Sequence, residues 1–250
     1  MNGFNEIATE GINKIWHDDA ESQMHYLGII AQARGTQIES LVEADTFFVP
    51  NNSYLAAYFG NMIRDPAFDC YNLNGECKWS NYLVIPIYNV TGEIVAFGGF
   101  NPFLYARSHE SDANQESYYQ YSSRVLFKKG NYVYCENGIF ERALTEGYLF
   151  VVDGIFDAIS LTHAGFNAAG LMSSTVTQEI LVQLRMVKRI ILANDNDKAG
   201  LALKRKLSRY LKQLEVFPQG KTKDIDELLN SEYRDRTIEM LEAVKNSVVV

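Results

Sequence analysis

Between residues 149 and 200 two unbroken apolar runs, LFVV and RIILA, each end on carboxylates: LFVVDGIFDAIS, then RIILANDNDKAG. A run without polar alternation is the pattern of a strand covered on both faces, as in a parallel sheet flanked by helices. An acid that closes such a strand and opens the next helix lies outside the carboxyl end of the sheet, where α/β folds gather ligands. The pattern confines the second half of the chain to an α/β layered architecture with an acidic edge, and it points to a metal and phosphate site.

The spacing around these runs supplies the other elements. Tyr148–Val152 reads as a buried strand closed by Asp153 and Gly154, followed by a helix over 155–164 with Ile155, Ala158, Ile159 and Thr162 inward and Gly165 as its stop. A short strand is expected at 167–172. Thr175 and Gln178 have capping-box spacing for a helix to about Met186, before a second buried strand at 189–193. A long helix starts at Lys198 with Ala199, Ala202, Leu203, Leu207, Tyr210 and Leu214 as its expected inner face, and a brief strand follows at 215–217. A last amphipathic helix is expected over 235–244. Alternation of this kind implies right-handed crossovers, so acids that follow different strands share one edge.

Three acidic clusters result. Asp153 and Asp157 are four residues apart at a helix opening, hence on one face near its positive end. In an extended Asp195-Asn196-Asp197 both carboxylates face one space, and Asp224 and Asp226 form a third group. Any one of these acids alone would be an ordinary turn or cap residue. Six carboxylates brought together without cations would repel one another, so their convergence argues for metal. A sparse set of carboxylates completed by water and substrate phosphate suits Mg²⁺.

The acid-glycine segment VVDGIFDAISLTHAGF, the D-x-D-x-AG segment NDNDKAG and the third acidic segment GKTKDIDELL resemble the Toprim domain of DnaG-type primases. Upstream, YLVIPIYNVTGEIVAFGGF is similar to that family's hairpin with its FGG ending, and YYQYSSRVLFKKG to its segment ending in Lys-Gly. Order and spacing hold over 78–229, with a weaker likeness over 24–60. The resemblance implies an α/β Toprim domain, a central mostly parallel sheet with flanking helices, at 148–250, preceded by an α+β subdomain at 1–147. It implies a DNA primase that makes short RNA primers on single-stranded DNA from ribonucleoside triphosphates, by nucleotidyl transfer dependent on Mg²⁺ or Mn²⁺. Asp157, Asp195, Asp197, Asp224 and Asp226 would hold metal, with Asp195 and Asp197 at the centre of catalysis, and Asp153 would be a ligand or general base. Lys78, Lys128 and Lys129 would contact nucleotide or DNA. Three positions depart from the pattern: Asp153 stands where the family has Glu, and Phe100 and Tyr118 stand where it has basic residues. A Toprim-family nuclease and a replication accessory protein with weakened catalysis are the alternatives.

At 250 residues and 47% hydrophobic, the chain can bury one large or two small cores. A net charge of −8 argues against broad duplex binding, which needs many Lys and Arg on phosphates, so contact with DNA should be local. Cys70, Cys77 and Cys135 lack C-x-x-C spacing, so no zinc is expected and the thiols should be reduced. A compact, phage-like form without zinc-binding or helicase-binding domains is expected, with a replicative helicase or a separate template-recognition protein as partner. With no signal peptide and no long apolar run, the expected location is the cytoplasm, of the host if phage-encoded, with no membrane contact.

The part before 148 reads as α+β. Asp18 or Asp19 is the expected cap of a helix through Tyr26 to about Ala33, stopped by Gly35. Val90-Thr91-Gly92 reads as the turn of a hairpin between 83–87 and 94–97. An exposed, disorder-prone loop is expected at 108–117. Tyr118, Tyr119 and Tyr121 could stack on unpaired bases, although packing at a strand edge is the commoner use of such tyrosines.

Overall fold

The computed structural model describes residues 3–60, 70–71, 74–108, 117–122, 127–173, 175–194, 198–218 and 225–247. These form two compact units, one made of 1–88 with 93–128, the other of 89–92 with 129–250. The boundary expected at 147/148 therefore falls near 128/129, because residues just after Lys129 supply a strand and a helix to the second unit. Of the loop expected at 108–117, residues 109–116 lie outside the described residues, as do 248–250, while Ser108 closes a helix.

The first unit contains α1 (Gly3–Asp18), α2 (Ala20–Arg34), α3 (Ile38–Glu43), β1 (Phe47–Val49), α4 (Tyr54–Phe59), β2 (Tyr82–Tyr88), β3 (Ile94–Phe100), α5 (Pro102–Ser108) and β4 (Tyr119–Tyr121). Its strands form an antiparallel sheet in the order β1-β2-β3-β4. The expected hairpin is present, with Val84 opposite Gly99 and Ile85 opposite Gly98. α1 presents Phe4, Ala8, Ile12 and Ile15 to a core that includes Phe47, Phe59, Trp79 and Phe97. Gly99 is required by close approach: a Cβ there would stand 2.7 Å from the Trp79 ring. α2 ends as expected at Gly35, in the left-handed conformation at φ 75°. Asp19 sits at its start without capping it; its Oδ2 instead accepts the Tyr54 hydroxyl at 2.6 Å.

In the second unit, β5 (Val133–Tyr134) and α6 (Ile139–Glu146) precede β6 (Tyr148–Val152), α7 (Ile155–His163), β7 (Ala168–Leu171), α8 (Gln178–Arg185) and β8 (Arg189–Leu192). α9 (Lys198–Tyr210), β9 (Leu214–Val216), α10 (Ile225–Leu229) and α11 (Arg234–Lys245) follow. The sheet order is β5-β7-β6-β8-β9, parallel except for the edge strand β5. Every residue of β6 is buried, as its unbroken apolar run requires. Leu149 and Val151 join side chains of α6, α8 and α9 in one core, whereas the Phe150 ring on the other face meets Phe166 and Phe217.

Three local expectations are corrected. The cap of α8 is Thr177, whose hydroxyl accepts the Ile180 N–H at 3.3 Å, because Thr175 lies beyond the first turn. α9 ends at Tyr210, so Leu214 belongs to β9. Its inner face is Leu203 and Leu207, continued by Leu211, while Ala202 and Tyr210 are exposed, since the core stripe is narrower than the apolar composition implies.

Candidate active site

The neighbouring strands β6 and β8 are followed by helices on opposite faces of the sheet, and such a reversal opens a crevice outside their carboxyl ends. The two ends are level. Val151 pairs with Leu192, and the Ala193 N–H extends the ladder to the Val151 carbonyl at 2.9 Å. Asp153 therefore leaves β6 beside the place where the chain leaves β8 at Asn194. Asp195 and Asp197, like Asp224, lie outside the described residues.

Around the acid-glycine turn the geometry is tight. A Cβ on Gly154 would lie 2.6 Å from Asp157 Oδ2, so the glycine leaves space for the Asp157 carboxylate to fold back over the turn. A Cβ on Gly170, in β7, would meet the Gly154 carbonyl oxygen at 2.5 Å. β7 thus seats the turn backbone to backbone. A glycine inside an apolar strand signals such an approach in sequence, and at Gly170 it was available.

Asp157 also reaches the third acidic segment. Its Oδ1 accepts the Asp226 backbone N–H at 3.2 Å. The Asp226 carboxylate is buried, 3% exposed, and its Oδ1 accepts from the Ser160 hydroxyl at 2.5 Å and from Asn230 Nδ2 at 2.8 Å. Asn230 donates further to the Ser160 hydroxyl at 3.2 Å. Ser160, one turn beyond Asp157, and Asn230, one turn beyond Asp226, thus latch α10 to α7. Burying a carboxylate is tolerable only with hydrogen bonds of this kind. Sequence gave no local sign of the latch, because its partners are 66 and 70 residues apart.

The structure brings Asp157 and Asp226 together and sets Asp153, half-buried, at the head of the same helix. Among the described residues no three His, Cys, Asp or Glu side chains gather as a metal site. The donors at this edge are carboxylate oxygens, the chemistry that Mg²⁺ and Mn²⁺ take and a zinc centre of thiolates and imidazoles does not. Cys135 is buried in the second core, and burial pushes its thiol up from the usual range. The expected basic contacts are spread across both units. Lys78 is half-buried in the first, where its carbonyl accepts Gln120 Nε2 at 2.6 Å; Lys128 and Lys129 are exposed on either side of the boundary. The turn holding Lys129 is fixed by the Thr177 hydroxyl, which donates to the Gly130 carbonyl at 2.8 Å.

Phe100 is fully buried, with its ring 5.3 Å from Tyr105, 5.6 Å from Tyr119 and 6.0 Å from Tyr118. Two positions expected to be basic are thereby converted to packing. Tyr121 is likewise half-buried, and burial pushes its hydroxyl up to about 12.

A family model described as Toprim-like matches residues 150–229, the stretch that carries the acid-glycine turn, Asp157, Ser160 and Asp226. The RNA polymerase domain of Mycobacterium tuberculosis primase DnaG superposes with a TM-score of 0.72 at 17% identity, over 97% of this chain and 84% of that one. The chain has the fold of a DnaG-type primase catalytic core. A DnaG primase catalytic domain bound to single-stranded DNA shares this core with a TM-score of 0.65 at 20% identity, over 86% of this chain and 70% of that one. The DNA primase of Rickettsia conorii is 28% identical over 192 residues, which are 71% of this chain and 29% of that primase. The primase-like core thus spans less than a third of the length of this curated relative. Among its described residues no helix is long and apolar enough to cross a membrane.

Proposed function

We propose that this chain is a DNA primase core that joins ribonucleotides on a single-stranded DNA template. The reading rests above all on one observation: within a primase-core fold, the acid-glycine turn sits at the level carboxyl ends of β6 and β8 and is latched to the third acidic segment through Asp157 and Asp226. Divalent cations, Mg²⁺ or Mn²⁺, would lower the charge on the triphosphate and on the attacking oxygen.

Asp195, Asp197, Asp157 and Asp224, with Asp226 as the buried anchor, would hold those cations. The ribose 3′-hydroxyl attacks the α-phosphorus of the incoming triphosphate, an O–P bond forms, and the bond to pyrophosphate breaks. Asp153 would accept the hydroxyl proton or join the metal ligands. The protein's part is mostly positioning, since phosphoryl transfer needs little covalent help. Lys129, on its pinned turn, and Lys78 would steady phosphates or template. A replicative helicase or a template-recognition protein would bring the core to its start sites.

The test is incorporation of labelled ribonucleotides on single-stranded DNA with each metal, alone and with the neighbouring replication proteins. Short RNA products are expected. Cleavage of labelled DNA without triphosphates would mark a nuclease instead, and absence of both activities together with absence of metal binding would mark an accessory protein.

A further inference from the structure

Six Lys and Arg lie between residues 198 and 212 with no Asp or Glu among them, while the rest of this net-acidic chain carries all 31 of its acids. Leu201, Lys204, Arg205, Ser208 and Arg209 of α9 line an open depression of about 420 Å³. None of the six cations has an ion pair among the described residues. An ordinary solvated helix mixes signs, as α11 does with Lys245 against Glu242 at 3.2 Å. On α9 the like charges Arg205 and Arg209 are one turn apart, which costs a few tenths of a kcal/mol. The helix dipole favours cations only in the last turn, so it accounts for Arg209 but not for Lys204 or Arg205.

We propose that the outer face of α9 is a phosphate-binding surface for the nucleic-acid backbone, separate from the acidic edge. Lys204 and Arg209 are about 7.5 Å apart along the axis, comparable to the distance between successive phosphates of a strand. Arg, Lys and a Ser hydroxyl are the side chains that hold phosphate oxygens. Among the described residues Leu201 is the single apolar side chain lining the depression. A protein partner would need a larger apolar anchor cluster, so a nucleic acid fits better. In sequence the segment passes for the polar side of an amphipathic helix; the charge stands out once the helix is placed with Leu203 and Leu207 inward.

The inference shares with the proposed function only the premise that the chain meets nucleic acid. Its test uses EDTA and no triphosphates, so loss of chemistry and loss of this surface are distinguishable. Anisotropy of labelled single-stranded and duplex DNA would be followed against salt for the full chain and for Lys204→Gln/Arg205→Gln/Arg209→Gln, with polyglutamate as competitor and sedimentation as a check on assembly. The substituted side chains are exposed or half-buried, so an unchanged melting temperature is expected and keeps the comparison clean. On single strands the variant should bind at least about tenfold more weakly at moderate salt, with the slope of log affinity against log salt reduced by about 2, as for three lost phosphate contacts. A stronger fall on duplex than on single strands would identify the duplex as the source of the phosphates. Unchanged affinity and slope would overturn the proposal. So would polyglutamate competing as well as DNA, which would mark an acidic protein partner, or self-association that the variant abolishes.

Discussion

Gly170→Ala is the sharpest perturbation that the geometry offers. The new Cβ would lie 2.5 Å from the Gly154 carbonyl oxygen, 3.0 Å from its carbon and 3.4 Å from Ile155 Cα. Ordinary carbon–oxygen contacts begin at about 3.3 Å, so β7 and the acid-glycine turn must separate by roughly 1 Å. Every opposing atom is backbone, and no rotamer change relieves the contact. Overpacking of this kind costs about 1–3 kcal/mol, which lowers the melting temperature by roughly 2–4 °C per kcal/mol in a chain of this size. A 1 Å displacement beside the chemistry costs about a hundredfold in rate. Gly154→Ala is the contrast: its Cβ meets the end of the Asp157 side chain at 2.6 Å, which can rotate. That variant should lose about 1 kcal/mol of stability with the bond from the Asp226 N–H, and should lose activity, as the Asp157 carboxylate is turned away. Urea melts and primer synthesis at saturating Mg²⁺ measure both effects. A Gly170→Ala protein with the parent's stability and rate would refute the claim that β7 seats the turn.

Asp153→Glu should lower activity, because one more methylene would crowd a metal held at this edge; a rate gain at saturating Mg²⁺ or Mn²⁺ would show instead a site weakened by the shorter acid. Arg189 binds both oxygens of Glu215 at 2.8 Å and donates to the Val244 carbonyl at 3.0 Å and the Lys245 carbonyl at 2.7 Å. Arg189→Met should therefore cost about 2 kcal/mol and raise hydrogen exchange over 234–247, and unchanged exchange there would remove the capping role. Asp45 holds a left-handed backbone at φ 55°, and burial raises its carboxyl above the ordinary range, against the Tyr88 hydroxyl bonded to it at 2.8 Å. A raised pKa gives stability that is present at acid pH and lost as the group ionises, so Asp45→Asn should stabilise by about 0.5 kcal/mol at pH 7 and do little at pH 3. Equal melting temperatures of the two proteins at pH 7 would contradict this.

The sheet was legible because LFVV and RIIL are apolar without alternation, and a strand buried on both faces has little other way to be encoded. Asp153, the acid that closes β6, was legible for the same reason. Elements defined by tertiary contact were not. α1 carries Phe4, Ala8, Ile12 and Ile15 at helical spacing, but Gly11 interrupts the pattern; a Cβ there would stand 2.4 Å from the Phe59 ring, a constraint invisible in sequence. β5 is two residues long and exists only by pairing with β7. Phe100 and Tyr118 read as lost cations, and only the packed rings explain what replaced them. The hydrogen bonds of Ser160 and Asn230 to Asp226 depend on α10 reaching α7, which no spacing rule encodes.

The central claim is that the acidic edge binds divalent metal through Asp195 and Asp197. Calorimetric titration of Mg²⁺ and Mn²⁺ into the parent and into Asp195→Asn/Asp197→Asn tests it most directly. The parent should bind metal and the variant should not, while the metal-free variant should be slightly more stable, because repulsion between the carboxylates is relieved. The same titration curve for both proteins would contradict the account.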